Sequence, residues 1–243
     1  FSEPVSPLVL RLVRPDGSST LLDRFALNDA TLDIAAPADL GEGTHVLSWR
    51  VISEDGHPVG GSVVFSIGAP SAGGGAPPQE APDLALDSAI WALRTLVYIG
   101  LFLGAGGAFF IAFNGGRRAA PIVRAAAWAG LAAAPLSVGL LGVDALALPL
   151  SSLAAPIAWQ TGWSTSYGTT GLLAAGALVL ALLSLALSNR AACILAALSL
   201  VGVGLALAAS GHASAANPQW LTRPAVFLHA VGIAFWAGAL IPL

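Results

Sequence analysis

The chain has 243 residues, of which 56% are hydrophobic and 9% charged, at a mean hydropathy of +0.79, far from the roughly 25% charged residues of an ordinary water-soluble domain. Residues 1–82 carry ten acids and four arginines, whereas residues 83–243 carry three acids and six arginines, so the two parts are built for different solvents and the second reads as a membrane domain. With no lysine, no methionine and a single cysteine, Cys193, an intrachain disulfide and a cysteine-based zinc site are excluded. An acidic first part without a basic block also argues against nucleic acid as a partner.

Phe1 opens within a strand-like segment and Leu243 closes within an apolar run. The expectation is a piece of a longer chain, with a signal peptide and a first strand upstream. Residues 1–69 read as short strands between turn signals. Val9 to Val13 alternates apolar and polar, and Pro15-Asp16-Gly17 makes a turn. Ser19 to Leu22 and Ala30 to Ile34 suggest a second strand pair, and Gly41-Glu42-Gly43 a further turn. From Thr44 to Ser53, the residues His45, Leu47, Trp49 and Val51 fall on one face. Asp55-Gly56-His57-Pro58 then turns the chain into a return strand over Gly61 to Ile67. About seven short strands without helical periodicity predict a small all-β Greek-key barrel or sandwich.

Residues 70–86 are rich in glycine and proline and read as a linker. Residues 87–243 hold five apolar runs, near 88–113, 121–149, 168–188, 191–210 and 223–243. Each is long enough to cross about 30 Å of hydrocarbon, so an all-α transmembrane bundle is expected. Arg117 and Arg118 follow the first run, Arg124 lies just inside the second, and Arg190 follows the third, whereas the connections 150–167 and 211–222 are uncharged. By the excess of arginine in cytoplasmic loops, the N-terminal domain lies outside a bacterial cytoplasmic membrane. Trp159, Trp163, Tyr167 and Trp220 would form its outer aromatic belt.

Ionisable residues inside hydrocarbon are normally paired or functional. Arg94 and Asp144 fall at similar depth near the outer ends of the first two spans, either as a charge pair or as snorkelling side chains with a structural or gating role. His212, at the outer mouth of the fourth span, and His229, inside the fifth, are either metal ligands or ordinary polar residues. In the first domain, Asp55 and His57 stand two apart in a turn, with Glu3 able to reach them from a neighbouring strand. That donor set suits Cu(II), Zn(II) or Ni(II), although an Asp-Gly turn and a histidine before proline also occur for local reasons. His45, beside Trp49 on a strand face, reads as packing. No Walker A, Gly-x-Ser-x-Gly or His-Glu-x-x-His motif occurs, so an enzyme is not expected.

The run Ser48-Trp49-Arg50-Val51-x-Ser53-x-Asp55-Gly56-His57-Pro58, with Phe1-Ser2-Glu3-Pro4-Val5 before it, resembles the CopC family of periplasmic copper-binding β-barrels over roughly 1–69. Arg94-x-x-x-Tyr98-x-Gly100, Gly211-His212-Ala213 and His229 followed by Trp236-x-Gly238 resemble the CopD family of membrane proteins. The order of the parts looks like a CopC–CopD fusion. This resemblance implies Cu(II) ligands at Asp55 and His57 with Glu3 nearby, and copper, as Cu(I) or Cu(II), at His212 and His229. The family site is completed by an N-terminal histidine that precedes the segment in which Phe1 lies, so a chain beginning there would bind copper more weakly. The family's methionine-rich Cu(I) site is excluded by the composition. The implied function is copper binding outside the membrane and copper import in homeostasis or resistance. The alternative is a membrane-anchored chaperone that passes copper to a periplasmic protein without transport.

Overall fold

The computed structural model describes residues 1–54, 56, 58–71, 83–211 and 216–242. Two compact units emerge, Phe1–Asp83 with Asp144–Leu148, and Leu84–Val143 with Pro149–Leu243.

In the first unit, the alternating Val-Leu-Arg-Leu-Val run ends β1 (Val5–Val13), which pairs antiparallel with β2 (Ser19–Leu21) on one side and β5 (Gly43–Ser53) on the other. The Pro15-Asp16-Gly17 turn joins β1 to β2. There the Ser18 hydroxyl and amide hold the Asp16 carboxyl below the usual carboxylate range. β5 also pairs with β6 (Pro58–Ile67), giving a four-stranded sheet in the order β2-β1-β5-β6. β3 (Phe25–Asn28) and β4 (Thr31–Ile34) form a separate hairpin, with Asp29 at its tip in the left-handed region at φ 55°, a conformation its short polar side chain tolerates.

The described residues thus hold six strands, against about seven expected. Phe25–Asn28 is an added strand, whereas Pro37 and the turn residues around Asp39 keep the stretch before β5 out of the sheet. On the expected face of β5, Leu47 and Trp49 are half-buried. His45 and Val51 are fully buried, and Leu10 and Leu12 of β1 join them in the core. Deleting such a side chain costs about 2–5 kcal/mol.

The second unit contains five helices long and apolar enough to cross a membrane, Leu84–Asn114, Arg117–Ala145, Ser166–Ala186, Arg190–Ala208 and Gln219–Ala239. The first is continuous but not uniform. α1 (Leu84–Ile99) passes through a wider π-helical stretch, Gly100–Ala105, into α2 (Gly106–Asn114). Its helix begins at Leu84, within the stretch read as linker. α3 (Ala120–Ala145) stops four residues short of the expected 149, where Ala147 takes φ 51° and Pro149 follows, two positions an α-helix does not accommodate. The stretch read as a plain connection, 150–167, folds into a 3₁₀ turn (Leu150–Ala154) and the short helix α4 (Pro156–Ser164). α5 (Ser166–Ala186), α6 (Arg190–Ala208) and α7 (Gln219–Ala239) complete the unit.

Lipid tails compete with apolar side chains for every helix surface, so helices in a bilayer associate where small residues let backbones approach. A Cβ added at Gly100 would lie 2.7 Å from the Gly130 Cα, and one at Gly104 would lie 2.8 Å from the Ala127 backbone. These glycines seat the first span on α3. A Cβ at Gly106 would overlap the Ala234 carbonyl, and one at Gly238 would overlap the Gly106 backbone, so α2 and α7 touch main chain to main chain. Gly142 and Gly162 do the same for α3 and α4. Buried hydroxyls add cross-helix bonds, from Ser199 to the Ala177 carbonyl at 2.7 Å and from Ser184 to the Ala192 carbonyl at 2.9 Å.

Gly106→Leu is expected to lower the stability of the helical unit by about 3 kcal/mol, the upper end of overpacking costs. Gly176→Ala, at an exposed helix position with open space around it, should raise stability by up to about 1 kcal/mol. Thermal unfolding in detergent followed by circular dichroism reads both; equal effects would contradict the packing described.

Candidate metal centre

The register of the four-stranded sheet determines which segments share an end. Val5 pairs with Ser53, and Ile52 pairs with Pro58. The start of β1, the end of β5 and the start of β6 therefore lie at one edge of the sheet, with Glu3 two residues before Val5. Gly56 closes a turn by donating its amide to the Ser53 carbonyl at 2.9 Å, at φ 90°; only glycine adopts that backbone region without strain. Asp55 and His57 themselves lie outside the described residues, as does His212.

Two aromatic side chains of β5 fix its packing, one nearer this edge and one far from it. The Trp49 ring lies across Gly61, its partner on β6, so closely that any Cβ there would enter the ring. Its other contact is Phe1, edge to face at 5.0 Å. The Gly60-Gly61 pair in the sequence signals this stacking. His45, paired with Phe65 near the opposite end of β5, is the second. Its Nε2 lies 2.9 Å from the Gly41 carbonyl, and its ring stacks on Phe65 at 5.3 Å. Facing a carbonyl, Nε2 carries a proton and donates, and Nδ1 is buried without a hydrogen-bond partner among the described residues. His45 is thus a core residue, closed to solvent metal, as its strand position predicts.

The remaining expected residues are spread along the chain. The Asp144 carboxylate is counted within the first unit, 3.4 Å from the Arg50 guanidinium. In the helical unit, the Arg94 guanidinium stands 5.2 Å from the centre of the Tyr167 ring. That cation–π contact lets a charge persist near hydrocarbon. Tyr167 belongs to the expected aromatic belt and Arg50 to the Ser48–Pro58 run, but no spacing rule pairs them with Arg94 and Asp144 across such chain distances. His229 is exposed on α7, one turn after the exposed Pro224–Ala225 segment. Among the described residues no group of three or more His, Cys, Asp or Glu side chains comes together to hold a metal. Of the glycines in the three membrane motifs, Gly100 and Gly238 have a packing use, against Gly130 and Gly106.

Comparison with known proteins bears on the sheet edge directly. Residues 1–68 match the CopC domain. The CopC domain therefore covers the whole four-stranded sheet and its β3–β4 hairpin, and it ends one residue past β6. The entire chain is also similar to the copper transport protein CutJ of Bacillus subtilis (strain 168), at 27% identity over 267 aligned positions. The alignment takes in all of this chain and 48% of that relative, so the chain spans about half the length of the curated protein it matches. No solved structure matches.

The burial of His45 generates a test of the CopC domain as a fold. His45→Ala removes a fully buried ring and its bond to Gly41, at an expected cost of about 3 kcal/mol. Hydrogen exchange across residues 43–67 should accelerate correspondingly in the full chain. Unchanged protection would show that the imidazole is not part of the core.

Proposed function

We propose that the chain is a copper-handling protein of the bacterial cytoplasmic membrane, with copper as cargo and no enzymatic step of its own. The match of residues 1–68 to the CopC domain carries this reading, and the similarity to a protein named for copper transport supports it. The CopD-like character of residues 87–243 rests on the motifs around Arg94, Gly211 and His229 and on the five membrane-length helices.

The chemistry proceeds in two stages. Outside the membrane, the His57 imidazole with the Asp55 and Glu3 carboxylates captures Cu(II), a mixed nitrogen and oxygen set that favours this ion. Copper competes with protons for the imidazole, so capture weakens as the medium becomes acidic. The glycine- and proline-rich linker then holds the loaded domain near the membrane, which raises the local copper concentration without any new contact. In the second stage copper enters the helical unit through His212 and His229, because an unassisted ion does not cross hydrocarbon. The arginines at 117, 118, 124 and 190 favour the orientation with the CopC domain outside. A chaperone that releases copper to a periplasmic protein is the second reading. It is favoured by His229, the one described imidazole of the helical unit, which is exposed and not grouped with other donors.

Intracellular copper in cells expressing the full chain, His57→Ala and His229→Ala separates the two. Import requires that expression raise copper uptake, that His229→Ala abolish the rise and that His57→Ala reduce it. The chaperone reading requires that none of them alter cytoplasmic copper while Cu(II) binding outside persists. His57→Ala should weaken Cu(II) binding, read by calorimetry, by more than about tenfold. Unaltered affinity would remove His57 from the site.

A further inference from the structure

Four of the six arginines of the helical unit gather at one end. Arg117 and Arg118 follow α2, Arg124 is in the first turns of α3, and Arg190 opens α6. All four belong to the end where α2, α5 and α7 finish and α3 and α6 begin. No Asp or Glu occurs in 106–130, 178–195 or 234–243, the stretches that make up this end. The acid of the unit, Asp87 near the start of α1, belongs to the other end.

A cavity of about 360 Å³ opens at the arginine end, between α2, α3, α5 and α6, within the size of ligand pockets, about 300–1,000 Å³. Its mouth is polar and exposed, with Arg117, Ser188, Asn189 and Arg190 around it. Its floor is apolar, formed by Ala108, Ile111 and Leu185. The mouth is held in shape by the chain itself. The Arg117 guanidinium donates to the Leu187 carbonyl, just past α5, and the Asn189 side chain accepts from the Ala191 amide in the first turn of α6. Arg124 donates to the Leu185 carbonyl at 3.4 Å behind the same wall.

Two guanidinium groups without a carboxylate nearby call for an anion, and their planar forks match phosphate oxygens. A bare phosphate would have no use for the apolar floor. A ligand with a charged head and a hydrocarbon body uses both, and basic pockets between membrane helices bind acidic headgroups in this way. We infer that this cavity binds the phosphate headgroup of an acidic phospholipid, with Arg117 and Arg190 on the phosphate and the glycerol end of the acyl chains against Ala108, Ile111 and Leu185. The inference is independent of copper and of which way the bundle faces.

The test is lipid retention by the full chain, extracted in mild detergent, delipidated and titrated with phosphatidylglycerol or phosphatidylcholine under native mass spectrometry. One phosphatidylglycerol should bind per chain with saturation, and phosphatidylcholine should not. Arg117→Ala and Arg190→Ala should each weaken retention about fivefold, and Arg118→Ala, outside the cavity, should leave it unchanged. Circular dichroism checks that the helices persist. If Arg117→Ala loses helicity, Arg117→Lys and Arg190→Gln replace it, with retention kept by the first and lost by the second. Equal losses in all arginine variants would mean diffuse attraction to a charged surface and overturn the site. So would displacement of the lipid by inorganic phosphate with the same arginine dependence, which would make the ligand a free anion.

Discussion

Main-chain contact at glycine is the constraint on which the helical unit depends. In water, two helices come together because apolar side chains leave the solvent; in a bilayer that gain is nearly absent. What remains is close packing and hydrogen bonding, and both need the backbones near each other. Gly106 and Gly238 meet with no room for a methyl group, and Gly100 with Gly130 repeats the arrangement on α3. The cross-helix bonds of Ser184 and Ser199 join α5 to α6, where a Cβ at Gly202 would lie 2.9 Å from the Ala177 Cβ. The cavity at the arginine end also follows from it, because its walls are the ends of helices already held by these contacts.

Much of this architecture is legible in the sequence because it rests on local physics. A span announces itself by twenty or so apolar residues, and a strand by its alternating face; the five helices and the β5 face appear where those signals lie. The helix over Pro156–Ser164 does not, because a nine-residue segment with two tryptophans, a glycine and a serine has no distinct period. Its position depends on Gly142, twenty residues away by the shortest count to Gly162. The π-helical stretch is equally silent, since its residues are ordinary apolar ones.

The site was legible to a different degree. The candidate donors Asp55, His57 and Glu3 come from a short motif and its neighbourhood, and the register brings the strand ends flanking them, Val5, Ser53 and Pro58, to one edge of the sheet. His45 is the instructive contrast. Its residue type invites a metal, but its place on the inward face of the central strand, with Nε2 committed to Gly41, assigns it to the core. The partners of Arg94 and Asp144 could not be read at all, because Tyr167 and Arg50 come from distant parts of the chain.

The wide turn in the first span also limits how that span can change in length. Each residue added to or removed from a helix rotates everything beyond it by about 100°. Losing one residue between Gly100 and Ala105 would leave Gly100 against Gly130 but put Ala108 where Gly107 meets the Val123 side chain at 2.8 Å, and gaining one would put Ala105 where Gly106 meets Ala234 and Gly238. The first span therefore behaves as two keyed segments joined at a fixed phase. Point substitutions elsewhere along it have latitude, whereas single insertions and deletions within the joint do not.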